Sequence, residues 1–587
     1  MSVSREPEAI GSPRAHALSG LVDPDPGLLA TVVVPARDEE LRIAACLQAL
    51  ARQRGVQHQS YEVIVILDGC RDRTAEIVRN VAEHESALRV HALSWPAPAG
   101  VGRARRQGMD LACQRLLSVG RPGGLIASTD ADSVVADDWL ACQLELTRLG
   151  AHAIGGHIEL DDGEIGTLAV QALLERERRG RERLRAVIES DPVLRTAGQQ
   201  PTAEHHQFSG ASLALTADTY RRCGGLPVRA ALEDEALERE LHARRVPIHR
   251  SRSVRVRTSA RTDGRAPRGL AIDLARSDWR ARRSFTAERF TLSRLLEAKH
   301  CTVALVLPTR EVAATIGPIA EHAARLRDAG LLDEVLVVDA GSSDGTARIA
   351  EQAGLTVAQE DELSSELGPA RGKGDAMWRA LRELSSEIVV YADTDTEDFG
   401  EHFLTGMLGP LLCDPTVQLV KGFFLRPFRA EGTLVPNGGG RVTELMARPL
   451  LNLHAPELAV FDQPLAGETA GRRELLERLP FSAGYGVEIA MLIDAWRAVG
   501  LEGLAQVDLG ARQNRHQSLR ELSAMAYAVL IAAQTRFLGS DFADAHAGGS
   551  ISLPALDGVG TMETRRVTVE ERPPLASLKH VSAALEA

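Results

Sequence analysis

The sequence predicts an α/β chain made of two tandem copies of one Rossmann-like plan, each a parallel sheet with helices on both faces. Three landmarks, present twice, carry that prediction. An apolar β-branched run ending in proline and a charged turn occurs at 31–40 (TVVVPARDEE) and at 303–311 (VALVLPTRE). Downstream in each copy, a second apolar run ends in aspartate: VIVILDGCRDRTAEI at 63–77 and VLVVDAGSSDGTARI at 335–349. A third run ends in paired aspartates: LIASTDADS at 125–133 and IVVYADTDTED at 388–398. The offsets between copies are 273 (Pro35 to Pro308), 271 (Asp68 to Asp339) and 263 (Asp130 to Asp393). Three landmarks in one order at nearly one spacing mark an internal repeat.

Each landmark reads as a buried strand, a loop and then a helix. After the first strand of the first copy, Ala44, Leu47 and Leu50 recur at helical spacing. Strand–helix alternation of this kind gathers ligands at the carboxyl ends of the strands, where all the landmark acids fall. Residues 1–28 read as a loose leader, 29–267 as the first domain and 268–302 as a helical connector. The second domain is expected at 303–540, and 541–587, with HAGGS and ERPPL, as a mostly irregular tail.

Composition bounds the rest. The chain has 587 residues, 44% hydrophobic and 25% charged, which is ordinary globular material. Net charge is −12, which argues against broad nucleic-acid binding. The seven cysteines (46, 70, 113, 142, 223, 301, 413) form no CxxC, so free thiols in a reducing compartment are expected rather than a zinc ribbon. No run approaches transmembrane length. Leu522–Gln534 reads as a buried helix, and the N-terminus lacks the apolar core of a signal peptide. A cytoplasmic protein with no integral membrane segment is the expectation.

Asp130-Ala131-Asp132 and Asp393-Thr394-Asp395 are D-x-D turns at strand ends. Two such carboxylates can hold a divalent cation, Mg²⁺ or Mn²⁺, leaving room for phosphate oxygens on the same ion. That ion would neutralise charge on a diphosphate leaving group. Asp68 and Asp339 end the second strands, where a carboxylate can accept from a nucleobase N–H or cap a helix.

These motifs together resemble the GT-A fold of nucleotide-diphospho-sugar transferases. Over residues 29 to about 260 the resemblance is to family 2 glycosyltransferases, through VVVPARDEE, LDGCRDRT, GVGRARRQG, TDADS, FSGASLAL and LEDEAL. It implies Pro35 and Asp68 at the donor, Asp130 and Asp132 at the metal, and Asp234 as the general base of an inverting transfer. Residues from about 292 to 575 resemble the glucosyl-3-phosphoglycerate synthases. The stretches that carry this are GPARGKGDAMWRAL, VQLVKGFFLRP, NGGGRVTELMARPLL, FDQPLAGE, LPFSAGYGVEIAMLID and AQVDLGARQNRHQSLREL.

That second resemblance implies glucose transfer, with retention, from a nucleoside-diphosphate glucose (UDP-glucose above all) to the 2-hydroxyl of 3-phosphoglycerate. Pro308, Glu311, Asp339, Lys373 and Asp393 would meet the donor, with Lys373 on the diphosphate as a point charge. Gly440, Arg441 and Thr443 would hold the acceptor, because a Gly-rich turn entering a helix suits an anion and Arg441 can fork onto it. Glu488 would hold sugar hydroxyls, and the Leu465 carbonyl would flank the anomeric carbon. Asp393, Asp395 and His516 would hold the metal. A homodimer through this half is also implied.

Two departures stand out. Val312 occupies the place of an expected nucleotide-contacting Glu, with Glu311 one position early. Asn514 occupies that of the metal-binding His, with His516 two positions on.

Other classes fit less well. A sugar nucleotidyltransferase or a dinucleotide dehydrogenase needs a Gly-rich loop after the first strand, where both copies carry proline and charges. Gly100-Val101-Gly102 is an isolated GxG. Adjacent His205 and His206 would point apart on a strand, which argues against a paired metal site. Two further readings are a single catalytic domain beside a nucleotide-sugar-binding or scaffolding partner, and a non-enzymatic binding module.

Overall fold

The computed structural model describes residues 21–85, 87–161, 169–190, 204–229, 231–262, 264, 269–426, 428–430, 433–435, 440–512, 518–555 and 560–578. The chain divides into two compact units, Met1–Asp278 and Trp279–Ala587.

The first unit holds β1 (Ala30–Ala36), β2 (Tyr61–Asp68), β3 (Val90–Trp95), β4 (Leu125–Ser128), β5 (Ser133–Val135), β6 (Ala153–Leu160), β7 (Leu213–Thr216) and β8 (Ile248–Thr258). They form one eight-stranded sheet in the order β3-β2-β1-β4-β7-β6-β8-β5. Strands β3, β2, β1 and β4 run parallel, whereas β7 runs antiparallel to both β4 and β6. Every residue of β1 and β2 is buried, which is why these strands read as unbroken apolar runs rather than alternating ones.

The second unit begins its sheet with β9 (Ser284–Thr286), then β10 (Val303–Thr309), β11 (Glu334–Asp339), β12 (Thr356–Gln359), β13 (Ile388–Tyr391) and β14 (Leu419–Leu425). A hairpin of β15 (Phe428–Ala430) and β16 (Thr433–Val435) follows, then β17 (Thr469–Arg472), β18 (Phe481–Ser482) and β19 (Leu504–Ala511). The main sheet again has eight strands, ordered β12-β11-β10-β13-β17-β14-β19-β9. The two orders match strand for strand across seven positions. Beyond the sheet lie β20 (Ser550–Pro554) and β21 (Met562–Arg566), which pair, and β22 (Glu571–Arg572), which pairs with β18.

The two prolines fit central strands because of where they sit. β1 pairs with β4 only over Ala30–Val33, and β10 with β13 only over Val303–Val306. Pro35 and Pro308 lie past that ladder, so a missing N–H costs no bond on that side.

Three expectations are corrected here. The sheets are mixed, not parallel throughout: β7 and β17 run backwards, and their four-residue runs carry no pattern that reveals direction. The stretch 268–302 is not simply a helical connector, since β9 within it pairs with β19. The region after 540 is more ordered than expected, with a helix (Ser540–His546), a hairpin and β22. The helix Leu519–Leu538 does bury Val529, Ile531 and Ala533, and all seven cysteines are free thiols. Among the described residues no helix is long and apolar enough to cross a membrane.

The helix Val101–Ser118 lies against β1 and β2 at Gly108, where a Cβ would stand 2.4 Å from Val33 Cγ1 and 3.2 Å from Ile66 Cγ1. Gly108→Val should therefore destabilise the first unit by about 1–3 kcal/mol through overpacking, read as a lowered unfolding transition in calorimetry.

Candidate active sites

In the first unit β4 stops at Ser128 and the D-x-D turn follows. Arg105 rises from the helix Val101–Ser118 and is 3% exposed. Its guanidinium donates to Asp130 Oδ1 (2.8 Å), Ser128 Oγ (2.8 Å), the Gly210 carbonyl (3.0 Å) and Glu233 Oε1 (3.2 Å). Arg261, just past β8, pairs with Asp132 Oδ2 at 2.9 Å and grips Glu39 through two bonds of 2.9 and 2.6 Å. Each D-x-D acid thus has its own arginine. Asp132 is still pushed up to about 6, first by burial and then by Asp130 beside it.

Asp234 is the second residue of the helix Glu233–Ala243. Its carboxylate accepts from the N–H groups of Gly210 (3.1 Å) and Glu235 (2.8 Å). The preceding acid, Glu233, takes the arginine. The motif LEDEAL therefore splits its labour: one carboxylate is paired, and the next stands on backbone donors.

The second unit repeats the cage with different residues. Lys373 is the first residue of the helix Lys373–Glu383, and helical side chains lean toward the N-terminus. Its ammonium sits between Asp393 Oδ1 (2.5 Å) and Glu488 Oε1 (2.8 Å). Lys373, expected on the donor's diphosphate, pairs within this chain with two carboxylates. Glu488 is the second residue of the helix Val487–Val499, the place Asp234 holds in the first unit. Arg512, just past β19 and fully buried, reaches Asp395 Oδ1 (2.6 Å), Asp393 Oδ2 (3.5 Å) and Glu468. The cations beside Asp393 outweigh its burial and hold it below the usual carboxylate range. Glu468 is pushed above that range by burial, and its Oε2 lacks a partner.

Leu465 lies in a turn closed by the Ala466 N–H on the Gln463 carbonyl, 3.1 Å. The buried Lys421 ties that turn to the sheet, donating to the Ala466 carbonyl and to Thr469 Oγ1 (2.9 Å). Its ammonium is pushed down to about 8, chiefly by burial. Gly440 has φ 74°, which favours glycine, and opens the helical stretch at 441. Thr443 starts a π-helical turn (Thr443–Ala447) and is buried rather than presented as an open hydroxyl. Such turns concentrate at functional sites. His516 and Asn514 lie outside the described residues.

The base-contacting acids have other work. Asp68 accepts from the N–H groups of Ala99 (2.6 Å) and Gly100 (3.0 Å), and so anchors the start of the helix that carries Arg105. Asp339 accepts from Ser342 N and Oγ, Thr309 Oγ1 and Gln359 Nε2. Both are buried, and this chain's own donors engage their oxygens. Glu311 is corrected outright as a replacement for the missing acid. Its carboxylate accepts from Ser343 N–H (2.9 Å), just as Asp38 accepts from Arg71 N–H (2.6 Å). Both residues have left-handed φ, 52° and 48°. Val312, not Glu311, holds the place of Glu39: Val312 N–H donates to Thr346 Oγ1 as Glu39 N–H donates to Thr74 Oγ1. Val312 instead packs against the apolar core.

The charge centres that sequence reading missed are Glu39, Arg105, Arg261, Glu468 and Arg512. Four of them lie inside the quoted motifs, and Arg261 lies just beyond the first set. Nothing marked them out, because an arginine's partner is a matter of folding. His205 and His206 lie in a loop rather than on a strand. Among the described residues no group of three or more His, Cys, Asp or Glu forms a metal cluster. The paired D-x-D carboxylates nonetheless supply the oxygen ligands a hard cation takes, and its remaining ligands would be phosphate or water oxygens.

The model for glycosyl transferase family 2 matches residues 31–194 and 304–439, about half of the chain. This chain belongs to that family. It is a hexosyltransferase. Glucosyl-3-phosphoglycerate synthase of Mycolicibacterium smegmatis is 40% identical over 303 residues, 51% of this chain and 98% of the relative. The Mycobacterium tuberculosis synthase, solved with Mn²⁺, UDP-glucose and phosphoglyceric acid, is 39% identical and superposes with a TM-score of 0.44, covering 49% of this chain and 95% of that one. Mannosyl-3-phosphoglycerate synthase from Rubrobacter xylanophilus is 42% identical with a TM-score of 0.47, covering 51% of this chain and 99% of that one.

Arg512→Met should cost about 3–5 kcal/mol, because it leaves buried acids uncompensated. Adding Glu468→Gln should recover part of that loss in a denaturant double-mutant cycle. Lys421 has a folded value near 8 against 10.5 when free. Its burial cost is therefore complete below pH 8 and fades as pH rises toward 10.5. Stability should rise between pH 8 and 10.5 by up to roughly 1.4 kcal/mol per unit of difference. Lys421→Met should flatten that rise, as measured by urea unfolding at each pH.

Proposed function

We propose that the second unit transfers glucose from UDP-glucose to the 2-hydroxyl of 3-phosphoglycerate with retention, and that the first unit is an inverting sugar transferase. The observation that carries the division is the contrast between Glu488 and Asp234. Both are second residues of matched helices. Glu488 is paired with the Lys373 ammonium, which holds its carboxylate in place for sugar hydroxyls. Asp234 stands on two backbone N–H groups, with its paired neighbour Glu233 taking Arg105. This contrast supports reading Asp234 as the base of the first site and Glu488 as a holder of the sugar in the second.

In the second unit the acceptor oxygen would form its bond to C1 on the face from which the diphosphate leaves. The C1–O bond to the β-phosphate breaks, and the hydroxyl proton goes to the departing phosphate oxygen. The Leu465 carbonyl, fixed through Lys421, would flank the anomeric carbon, while Glu488 accepts from sugar hydroxyls. Gly440, Arg441 and Thr443 would take the phosphate and carboxylate of the acceptor. In the first unit the acceptor's proton would pass to Asp234 as its oxygen bonds to C1 from one face and the C1–O bond to the diphosphate breaks on the opposite face, the nucleoside diphosphate leaving. A bound Mg²⁺ or Mn²⁺, on Asp393 and Asp395 in one unit and Asp130 and Asp132 in the other, would supply charge neutralisation for the leaving diphosphate.

The acceptor assignment rests on relatives whose length this chain covers almost entirely. The 42% identical mannosyl enzyme favours a second reading, in which the donor is a nucleoside-diphosphate mannose.

Purified full-length protein should convert UDP-glucose and 3-phosphoglycerate to an α-linked product with Mg²⁺ or Mn²⁺, the anomer read by NMR. Asp395→Ala should abolish this, and Asp132→Ala should leave it within about threefold, since the two sites are separate machinery. Product from GDP-mannose alone would replace the glucosyl reading with the mannosyl one. No product from any donor would leave a binding or scaffolding role for the second unit.

A further inference from the structure

The segment from Thr568 to Pro573 lies far along the chain from every residue assigned above, yet it is built into the second site. We infer that this segment is a clasp on the donor side of the site and that Arg572 is its positioning residue. The inference rests on the proposed role of Glu488 at the donor sugar.

Three stretches of backbone lie side by side. The Asp375 N–H donates to the Ala483 carbonyl (3.2 Å), and the Ala483 N–H donates to the Glu570 carbonyl (2.8 Å). Phe481 and Ser482 pair antiparallel with Arg572 and Glu571. The first stretch opens the helix of Lys373, the middle stretch leads into the helix of Glu488, and the third is the clasp. The approach is close enough to exclude side chains. A Cβ at Gly374 would lie 1.9 Å from the Ser482 carbonyl oxygen, and one at Gly484 would lie 2.9 Å from that of Thr568.

Arg572 joins the outer stretches directly. It forks onto Asp375 with bonds of 2.7 and 2.9 Å, and Asp375 is 0% exposed. Asp375 also accepts from Arg371 N–H (2.9 Å) and Arg379 Nε (3.3 Å). The Arg572 guanidinium lies 5.5 Å from the Trp378 ring centroid, and Trp378 Nε1 donates to the Pro573 carbonyl at 2.9 Å. Glu571 is held in turn by Arg536, which also grips Asp494 on the helix of Glu488.

A buried carboxylate two residues from Lys373 is tolerable only while it is paired. Without Arg572 it would keep, of its charged partners, only the longer bond from Arg379 (3.3 Å), and the turn before Glu488 would lose its backing. The bidentate fork fixes angle as well as charge, so it sets where the Lys373–Glu488 pair stands over the strand ends. Among the described residues, the fork of Arg572 goes to Asp375, on the helix of Lys373.

The test uses full-length protein with Arg572→Ala, Arg572→Lys and Trp378→Phe. UDP affinity is measured by calorimetry, and kinetics are measured with each substrate varied. Arg572→Ala should weaken UDP binding and lower kcat by about 10- to 100-fold, the scale of a small misplacement, with the KM for 3-phosphoglycerate unchanged. Arg572→Lys should recover part of the loss. Trp378→Phe, which removes one clasp bond but not the fork, should stay within a few-fold. Equal rises in both KM values, or a lowered melting temperature with unchanged kinetics and UDP affinity, would make Arg572 merely structural and overturn the inference. If wild type makes no product, the synthase reading fails. UDP affinity then still decides the clasp, and its absence in wild type would overturn both.

Discussion

The paired acids of each D-x-D turn lie close together at a strand end and need cations beside them, and that requirement organises both halves of this molecule. A divalent ion can meet it in turnover, but the folded chain also meets it by itself. In the first unit Arg105 and Arg261 divide the D-x-D acids between them. In the second unit Lys373 and Arg512 do so. The basic partners come from matching places: the helix that precedes the D-x-D strand, and the first residues past the strand beside β6 or β14. Whatever else diverged between the copies, this compensation was kept, because breaking a buried pair on one side leaves a charge that the interior cannot tolerate.

From that constraint follows a difference in which acid is paired. The helix that faces the D-x-D turn offers an acid at its second position in both units. In the first, Arg105 is satisfied by Glu233, and Asp234 is left to backbone donors. In the second, Val487 stands where Glu233 would be, so the lysine pairs with Glu488 itself. One substitution from acid to valine thus changes which carboxylate is neutralised. Val312 for Glu39 works in the same way. Arg261 has Glu39 as a second anchor, while Arg512 turns to Glu468 instead.

The positions of these groups depend on elements that look remote in the chain. Asp68 reads as a ligand residue and in fact pins the start of the helix bearing Arg105. Lys421 holds the Leu465 turn from beneath. The segment around Arg572 sits beyond a long helix and a hairpin, and it lies against the two turns that carry Lys373 and Glu488.

The sequence by itself determined the repeat, the strand–loop–helix units and the placement of both D-x-D turns at strand ends. These are local: they follow from apolar runs, turn residues and short spacing. It left open strand direction for β7 and β17, since four-residue runs such as LALT and TAGR carry no directional signal. It also left open the partners of every charged residue. Glu311 looked like a substitute for a missing acid, and only its left-handed backbone shows that it staples a neighbouring loop. Arg512 and Arg572 were two arginines among 64. What selects them is burial beside an acid distant in sequence, and such pairings exist only after the sheet has brought its strand ends together.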